Sequence, residues 1–107
     1  MKMYDFKNIR IVKEANIYFE GKVISYSLFF KDGSRKTLGV MQIGDYVFNT
    51  QEKEIIEITS GLIKVLLPNE SIWNNLKSGM AFEVPANSSF KLKVSQITNY
   101  CCSYIEE

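Results

Sequence analysis

Glu54 begins a run rich in β-branched residues, EIIEIT, and is the first candidate for chemistry in this sequence. If the run is a strand that carries Glu54 inward without a partner, its ionised form is costly and its pKa should rise. A carboxylate so placed can offset positive charge that develops on a bound substrate. The alternative is that Glu54 is an exposed loop residue beside Gln51, Glu52 and Lys53. The sequence leaves both interpretations open.

The two adjacent cysteines are a second feature of the sequence that suggests chemistry. Cys101 and Cys102 are adjacent, so alternation along a strand would turn them to opposite faces. The chain has no histidine to activate a thiolate or to complete a zinc site. We therefore predict neither a catalytic nor a metal-binding role for them. Because adjacent cysteines cannot join distant parts of a fold, they also favour a cytoplasmic protein.

Glu54 also belongs to a spaced pattern. Six residues separate it from Gly61, Gly79 follows 18 positions later, and five residues separate Gly79 from Pro85. This spacing resembles the two sequence motifs of the cupins, which are small β-barrel proteins.

The positions that usually hold the metal in cupins are changed in this chain. Metal-binding cupins carry a His-x-His pair before the glutamate and a third histidine after the proline. The corresponding residues here are Phe48, Thr50 and Phe90. The resemblance therefore implies a cupin barrel without the histidine metal ligands, and we predict no metal.

Length, composition and charge set the broad class of protein. The 107 residues suffice for one domain with a core, and 46% of them are hydrophobic, as in globular proteins. A net charge of +1, from 13 basic and 12 acidic residues, gives no electrostatic case for nucleic acid or acidic lipid as a partner. No apolar run approaches the roughly 20 residues of a membrane helix, and the N-terminus lacks a signal-peptide core. We expect no nucleic-acid or membrane partner.

Turns and alternating apolar residues divide the chain into short strands. The Asp-Gly pair within residues 31–34 predicts a hairpin turn, and Glu54 begins a strand on which it shares a face with Ile56 and Ile58. The spacing of Ile72 and Leu76 admits a helical turn within residues 70–79. Strands are predicted within 17–30, over 37–43 and 46–50, from 54, and over 62–67, 79–84, 90–94 and 100–105.

These elements predict an all-β protein with about nine short strands. Such a pattern indicates a cupin-like small β-barrel or a double-sheet jelly roll. Residues 1–15 form either an N-terminal arm or an extra edge strand, and residues 16–107 form a single cupin domain. A barrel of short strands leaves edges that need covering, so we expect a homodimer.

A set of short sequence motifs occurs in order along residues 16–105. They are Tyr18-Phe19, Gly21-Lys22-Val23, Gly39-Val40-Met41, Gly44-Asp45-Tyr46 with Phe48 and Thr50, Ser60-Gly61, Val65-Leu66-Leu67-Pro68, Trp73, Val84-Pro85, and Tyr100, Cys102 and Tyr104. Taken in order, this set closely resembles the pyrimidine/purine nucleoside phosphorylase family of small single-domain bacterial cupins.

The resemblance implies phosphorolysis. A nucleoside and phosphate would give a free base and a pentose 1-phosphate, with broad tolerance of purine and pyrimidine bases. Phosphate would be a co-substrate and no cofactor is expected. The alternative is a metal-free cupin module that binds a small molecule without catalysis, because a fold does not fix a function.

Under this reading, Glu54 is the catalytic carboxylate, and several side chains are candidates for holding the nucleoside. Tyr46 and Tyr104 could stack on a base or donate a hydrogen bond, although aromatic residues of a small barrel are more often core. Trp73 is either a lid or a core plug. Phe48 and Phe90 could form an apolar wall, and the Thr50 hydroxyl is expected to line the cavity.

Candidates for phosphate are fewer. No Gly-rich phosphate loop is present. Arg35 follows the Asp-Gly turn, where a charge is more often solvated. Lys22 and Lys64 lie on predicted strands and could point inward, although most strand lysines point outward.

Overall fold

The computed structural model describes residues 5–106, and this part of the chain forms eleven β-strands and one short 3₁₀ turn, Phe19–Gly21. The all-β prediction is confirmed. The strands are β1 (Arg10–Ile11), β2 (Asn16–Tyr18), β3 (Val23–Phe29), β4 (Arg35–Met41), β5 (Gly44–Asn49), β6 (Lys53–Ser60), β7 (Leu62–Leu66), β8 (Asn74–Lys77), β9 (Ala81–Val84), β10 (Ser89–Val94) and β11 (Thr98–Ile105).

The strands form two antiparallel sheets. The first, seven-stranded sheet has the order β1-β3-β4-β11-β6-β9, with β2 also paired to β3. The second sheet has four strands in the order β5-β10-β7-β8. Two antiparallel sheets around one core are the architecture of a double-sheet jelly roll.

Alternating apolar residues explain how the sheets make a core. On β10, Phe90, Leu92 and Val94 are buried, while the lysines between them are exposed. On β6, Ile56 and Ile58 are buried on the face that Glu54 shares, as the sequence register predicted. The buried cluster joins both sheets.

The helical turn that the spacing of Ile72 and Leu76 admits within residues 70–79 is not formed. Asn74–Lys77 is instead an extended strand that pairs with β7. Only Leu76 of the predicted apolar pair is buried; Ile72 is 72% exposed. The four-residue spacing therefore does not mark one buried face, and strand pairing satisfies the backbone.

The N-terminal segment pairs with the first sheet. Arg10–Ile11 pairs with the end of β3, while residues 1–4 of the predicted arm lie outside the described part.

The first hairpin turn leads into β4. In this turn, the Ser34 backbone N–H donates to Asp32 Oδ1 at 2.9 Å. This side-chain contact closes the turn, so that Arg35 begins β4.

The outer face of the first sheet is apolar. Because Val23 and Ser25 point inward on β3, Ile24 and Tyr26 point outward, and Leu38 and Val40 do so on the paired β4. These four side chains are each 36% to 42% exposed.

Within residues 5–106, no helix is long and apolar enough to cross a membrane.

Candidate functional site

A cavity of about 130 Å³ lies between the two sheets. An apolar cavity of about 150 Å³ holds a benzene-sized ring, so this one accommodates about one ring of a ligand. Its polar lining comes mainly from the first sheet and its aromatic wall from the second. The lining residues are Tyr18, Ser25, Met41, Phe48, Asn49, Glu54, Ile56, Phe90, Leu92, Tyr100, Cys102 and Tyr104.

Glu54 lines this cavity from β6. It lies between Tyr104 of β11 and Val84 of β9 in the strand register, and its Oε1 is 3.4 Å from the Cys102 thiol, which donates to it. Burial raises the pKa of the Glu54 carboxyl, while the Cys102 contact and the charge of Arg35 act in the opposite direction. The side chain is therefore half-buried at the cavity, on a strand rather than in an exposed loop.

Three side chains of β11 face Glu54 and the rest of the cavity. Tyr100, Cys102 and Tyr104 alternate onto the inner face of this strand, which runs between β4 and β6. Burial raises the pKa of both phenols, so both carry their protons at neutral pH. The Tyr104 hydroxyl is 3.3 Å from Thr37 Oγ1. The cavity therefore presents hydroxyl groups that can donate to a ligand or accept from it.

Stacked phenylalanines form the opposite wall. The Phe48 and Phe90 rings lie 5.6 Å apart with an interplanar angle of 21°. Phe19, from the 3₁₀ turn, packs edge-on against Phe48 at 5.3 Å. Both cavity-lining rings lie where the sequence predicted an apolar wall, and such a face can stack on a planar base.

Three predicted ligand-binding residues lie outside the cavity lining. The Thr50 hydroxyl donates to the Pro85 carbonyl at 2.7 Å and accepts from the Ser88 N–H at 3.0 Å, so it ties a loop in place. Tyr46 is a core residue whose hydroxyl donates to the Gln42 carbonyl at 2.6 Å.

Trp73 is neither a lid over this cavity nor a core plug. It is half-buried at the far edge of the second sheet, just before β8. The Lys93 ammonium lies 4.5 Å from the centroid of its ring. The cavity position expected for Thr50 is therefore wrong, and Tyr46 takes the core position that was its alternative.

The inward orientation considered for Lys22 and Lys64 is also wrong. Both lysines are exposed. Val23, which follows Lys22, points to the inner face, and so do Ile63 and Val65 on either side of Lys64, so the two lysines point outward. Arg35 lies closer to the cavity. Its guanidinium carbon is 3.8 Å from the centroid of the Tyr104 ring, and Tyr104 is a cavity wall.

The sequence predictions omitted several polar residues of the lining. Ser25, Asn49, Tyr100 and Cys102 contribute to the cavity but received no role. The signal was present for Ser25, which alternates with outward apolar residues on β3, and for Tyr100 and Cys102, which share a strand face with Tyr104.

The positions of the usual cupin metal ligands do not fit a metal ion. Phe48 and Phe90 offer no ligand atom, and the Thr50 hydroxyl is engaged with backbone groups. Among the residues that the structure describes, no group of three or more Cys, Asp or Glu side chains could hold a metal.

Sequence comparison identifies related proteins along nearly the whole chain. The profile of the family described as pyrimidine/purine nucleoside phosphorylase matches residues 13–104. A protein of Chlorobium chlorochromatii with that name is 55% identical over 103 residues, covering 96% of this chain and 99% of its own. One of Leptospira interrogans is 51% identical over 104 residues, covering 97% and 98%.

Structural comparison gives a consistent result. A crystal structure of an Acinetobacter protein of unknown function matches with a TM-score of 0.92 at 33% identity, covering 94% of this chain and 98% of that one. The cupin domain of Schizosaccharomyces pombe Cnp3 matches with a TM-score of 0.65 at 17% identity, covering 85% and 64%. The second likeness concerns the fold alone, and it confirms the cupin-like architecture.

Proposed function

The chain belongs to the pyrimidine/purine nucleoside phosphorylase family, and we propose that it cleaves nucleosides with phosphate in the cavity beside Glu54. The products are a free base and a pentose 1-phosphate, a reaction suited to nucleoside salvage. The observation that carries the assignment to this cavity is the inward Glu54 carboxylate, faced by phenol hydroxyls and an aromatic wall.

The geometry suggests how these groups divide the work. As the bond between C1′ and the base nitrogen breaks, a phosphate oxygen bonds to C1′ and the base leaves with the electron pair. Positive charge builds on the sugar ring in such transition states, and the Glu54 carboxylate offsets it. The Tyr100 and Tyr104 hydroxyls donate to the developing negative charge on the base. Phe48 and Phe90 stack on its face.

Arg35 is the best-placed cation for phosphate. Its guanidinium rests on the Tyr104 ring and forms an ion pair with Glu52 at 3.3 Å, with both side chains more than a third exposed. An ion pair this exposed contributes about 0–1 kcal/mol, so a phosphate dianion held by two N–H groups can displace it. Asp32, nearby, is already engaged by Ser34.

An Arg35→Gln variant should therefore raise the KM for phosphate by about tenfold or more, because a charge-assisted hydrogen bond is worth about 1.5–3 kcal/mol. The KM for the nucleoside should change little. Steady-state kinetics with phosphate varied at saturating uridine measures this. Lys64→Gln is the matched control, since Lys64 is exposed and outside the cavity lining. An unchanged KM for phosphate in Arg35→Gln would remove Arg35 from the site.

The reaction itself is tested by incubating the protein with uridine or adenosine, with and without phosphate. Base should appear only with phosphate or arsenate, and with phosphate the second product should be pentose 1-phosphate. We expect the rate to be unaffected by prolonged treatment with EDTA, because the three positions that hold histidines in metal-binding cupins offer no free ligand atom. Cleavage without phosphate would make the protein a hydrolase. Nucleoside binding without any release of base would make it a binding module.

We also propose that the protein is a cytoplasmic homodimer joined through the outer face of the first sheet. This face carries Ile24, Tyr26, Leu38 and Val40, and the neighbouring Ile17 is 65% exposed. A contiguous apolar surface of this kind is unusual on a monomer. A second copy covers it with a self-complementary patch, as a twofold dimer requires. The two free cysteines suit a reducing compartment.

A Val40→Lys variant should convert the dimer to a monomer, because it places an unpaired charge in the centre of the apolar face. Light scattering at micromolar concentration should give twice the 12.3 kDa chain mass for the unsubstituted protein and one chain mass for the variant. Val47→Lys on the second sheet, where Val47 is 52% exposed, is the control and should remain dimeric. A one-chain mass for the unsubstituted protein would contradict the dimer.

A further inference from the structure

Cys102 is buried in the candidate site with its thiol directed at Glu54. It is 2% exposed and lines the cavity between Tyr100 and Tyr104 on β11. Its Sγ is 3.4 Å from Glu54 Oε1. Burial and the nearby Glu54 charge raise the pKa of the thiol, so it stays protonated. Cys102 is therefore a hydrogen-bond donor to Glu54 and not a nucleophile.

We propose that Cys102 is a positioning residue, whose thiol holds the Glu54 carboxylate toward the cavity and whose weakness as a donor sets how readily that carboxylate takes up a proton. The activity readouts below rest on the proposed phosphorolysis.

The choice of a thiol has a chemical consequence. A thiol is a weak donor, so it orients the carboxylate while stabilising its ionised form only slightly. A hydroxyl in the same place would donate a stronger, charge-assisted hydrogen bond and favour the ionised form. An alanine would donate nothing and leave the ionised form less favourable than in the unsubstituted protein.

The charged groups around Glu54 stay the same when only Cys102 is changed, whereas the Tyr104 phenol also hydrogen-bonds to the Cys102 thiol and is affected by its replacement. Tyr104 faces it from β11, Arg35 from β4 and Glu52 from the segment before β6, while its partner on β9, Val84, carries no charge. Tyr100 lies further along β11. A difference between variants of Cys102 therefore reports the donor at that position together with its contact to Tyr104.

The experiment compares Cys102→Ser and Cys102→Ala with the unsubstituted protein. The pH dependence of kcat/KM gives the midpoint of the acid limb in the free enzyme, and carbon-13 NMR titration of the Glu54 carboxyl gives the same midpoint in ligand-free protein without turnover. We expect the midpoint to move to lower pH with serine and to higher pH with alanine. At the pH plateau, alanine should lower kcat by about tenfold because the carboxylate is less well oriented, and serine should restore it.

Cys101→Ser is the matched control. Cys101 is also buried but alternates onto the opposite face of β11, so its substitution should leave the midpoint unchanged. Phosphate ionisation is common to all the variants and cancels in the comparison.

The outcomes separate this inference from the proposed function. NMR midpoints that move in opposite directions support the inference even if no phosphorolysis is found. Phosphorolysis with the same midpoint in the serine, alanine and unsubstituted proteins would overturn the inference alone. If the alanine variant does not fold, a serine midpoint that stays in place or moves to higher pH overturns it.

Discussion

A Glu54→Gln variant is expected to fold and to lose about a hundredfold in kcat. Removing one preorganised electrostatic contact with the transition state costs on the order of a hundredfold or more in rate. Glutamine keeps the size and one oxygen of Glu54, so it still accepts from the Cys102 thiol 3.4 Å away, but it carries no negative charge to offset the sugar cation. Single-turnover rates with uridine and phosphate measure the loss at the chemical step.

The matched control is Glu57→Gln, because Glu57 lies on the same strand, is exposed and points to the opposite face. Its kcat should be unchanged. If the Glu54→Gln protein is folded and turns over at the normal rate, Glu54 has no electrostatic role and the site must be sought elsewhere.

The same variant should be more stable than the unsubstituted protein at neutral pH. Burial raises the pKa of Glu54 above its ordinary value of 4.5, so the native state binds more protons than the unfolded state between the two values. Stability therefore falls as pH rises from 4.5 through the raised pKa. Glutamine removes this loss. Urea unfolding should show the advantage of Glu54→Gln at pH 7 and its disappearance below the ordinary pKa.

The sequence predicts local features of this fold well because strand alternation is a local signal. The alternation on β10 and the shared face of Glu54, Ile56 and Ile58 follow from residue order alone. Alternation was less useful where apolar residues are sparse. The spacing of Ile72 and Leu76 fits a helical turn as well as it fits a strand, and it is pairing with β7 that makes this segment a strand.

Contacts within the site depend on strands that are distant in sequence. Register on β11 brings Tyr104 opposite Glu54, 50 positions away. The segment at Pro85 and Ser88 captures the Thr50 hydroxyl, which removes it from the cavity. Residue types alone predict neither the neighbour of Glu54 on β11 nor the hydrogen-bond partners of the Thr50 hydroxyl. The reaction was inferred from the family resemblance. The three-dimensional structure was needed to identify which aromatic and polar residues line the same cavity.

Gly39→Ala is expected to damage both stability and activity through Tyr100. Gly39 does not have a positive φ, so its backbone conformation does not require glycine. The requirement is steric: a Cβ at this position would lie 2.6 Å from both Cζ and the hydroxyl oxygen of Tyr100, and 2.7 Å from the Ile24 carbonyl oxygen. Tyr100 therefore lies directly over the glycine of the neighbouring strand, and this close packing holds its hydroxyl at the cavity.

An alanine methyl group should push the Tyr100 ring toward the cavity, which has room for about one ring. Overpacking of this kind costs about 1–3 kcal/mol of stability, and a misplaced site group can cost about a hundredfold in kcat/KM. Urea unfolding and steady-state kinetics with uridine measure the two effects. In the double variant Gly39→Ala/Tyr100→Ala, the alanine methyl group no longer meets the Tyr100 ring. The loss of stability measured for the double variant should therefore be smaller than the sum of the losses in the two single variants. Strict additivity would show that the strain lies at the Ile24 carbonyl, and normal kcat/KM in Gly39→Ala would show that the position of Tyr100 does not matter for the reaction.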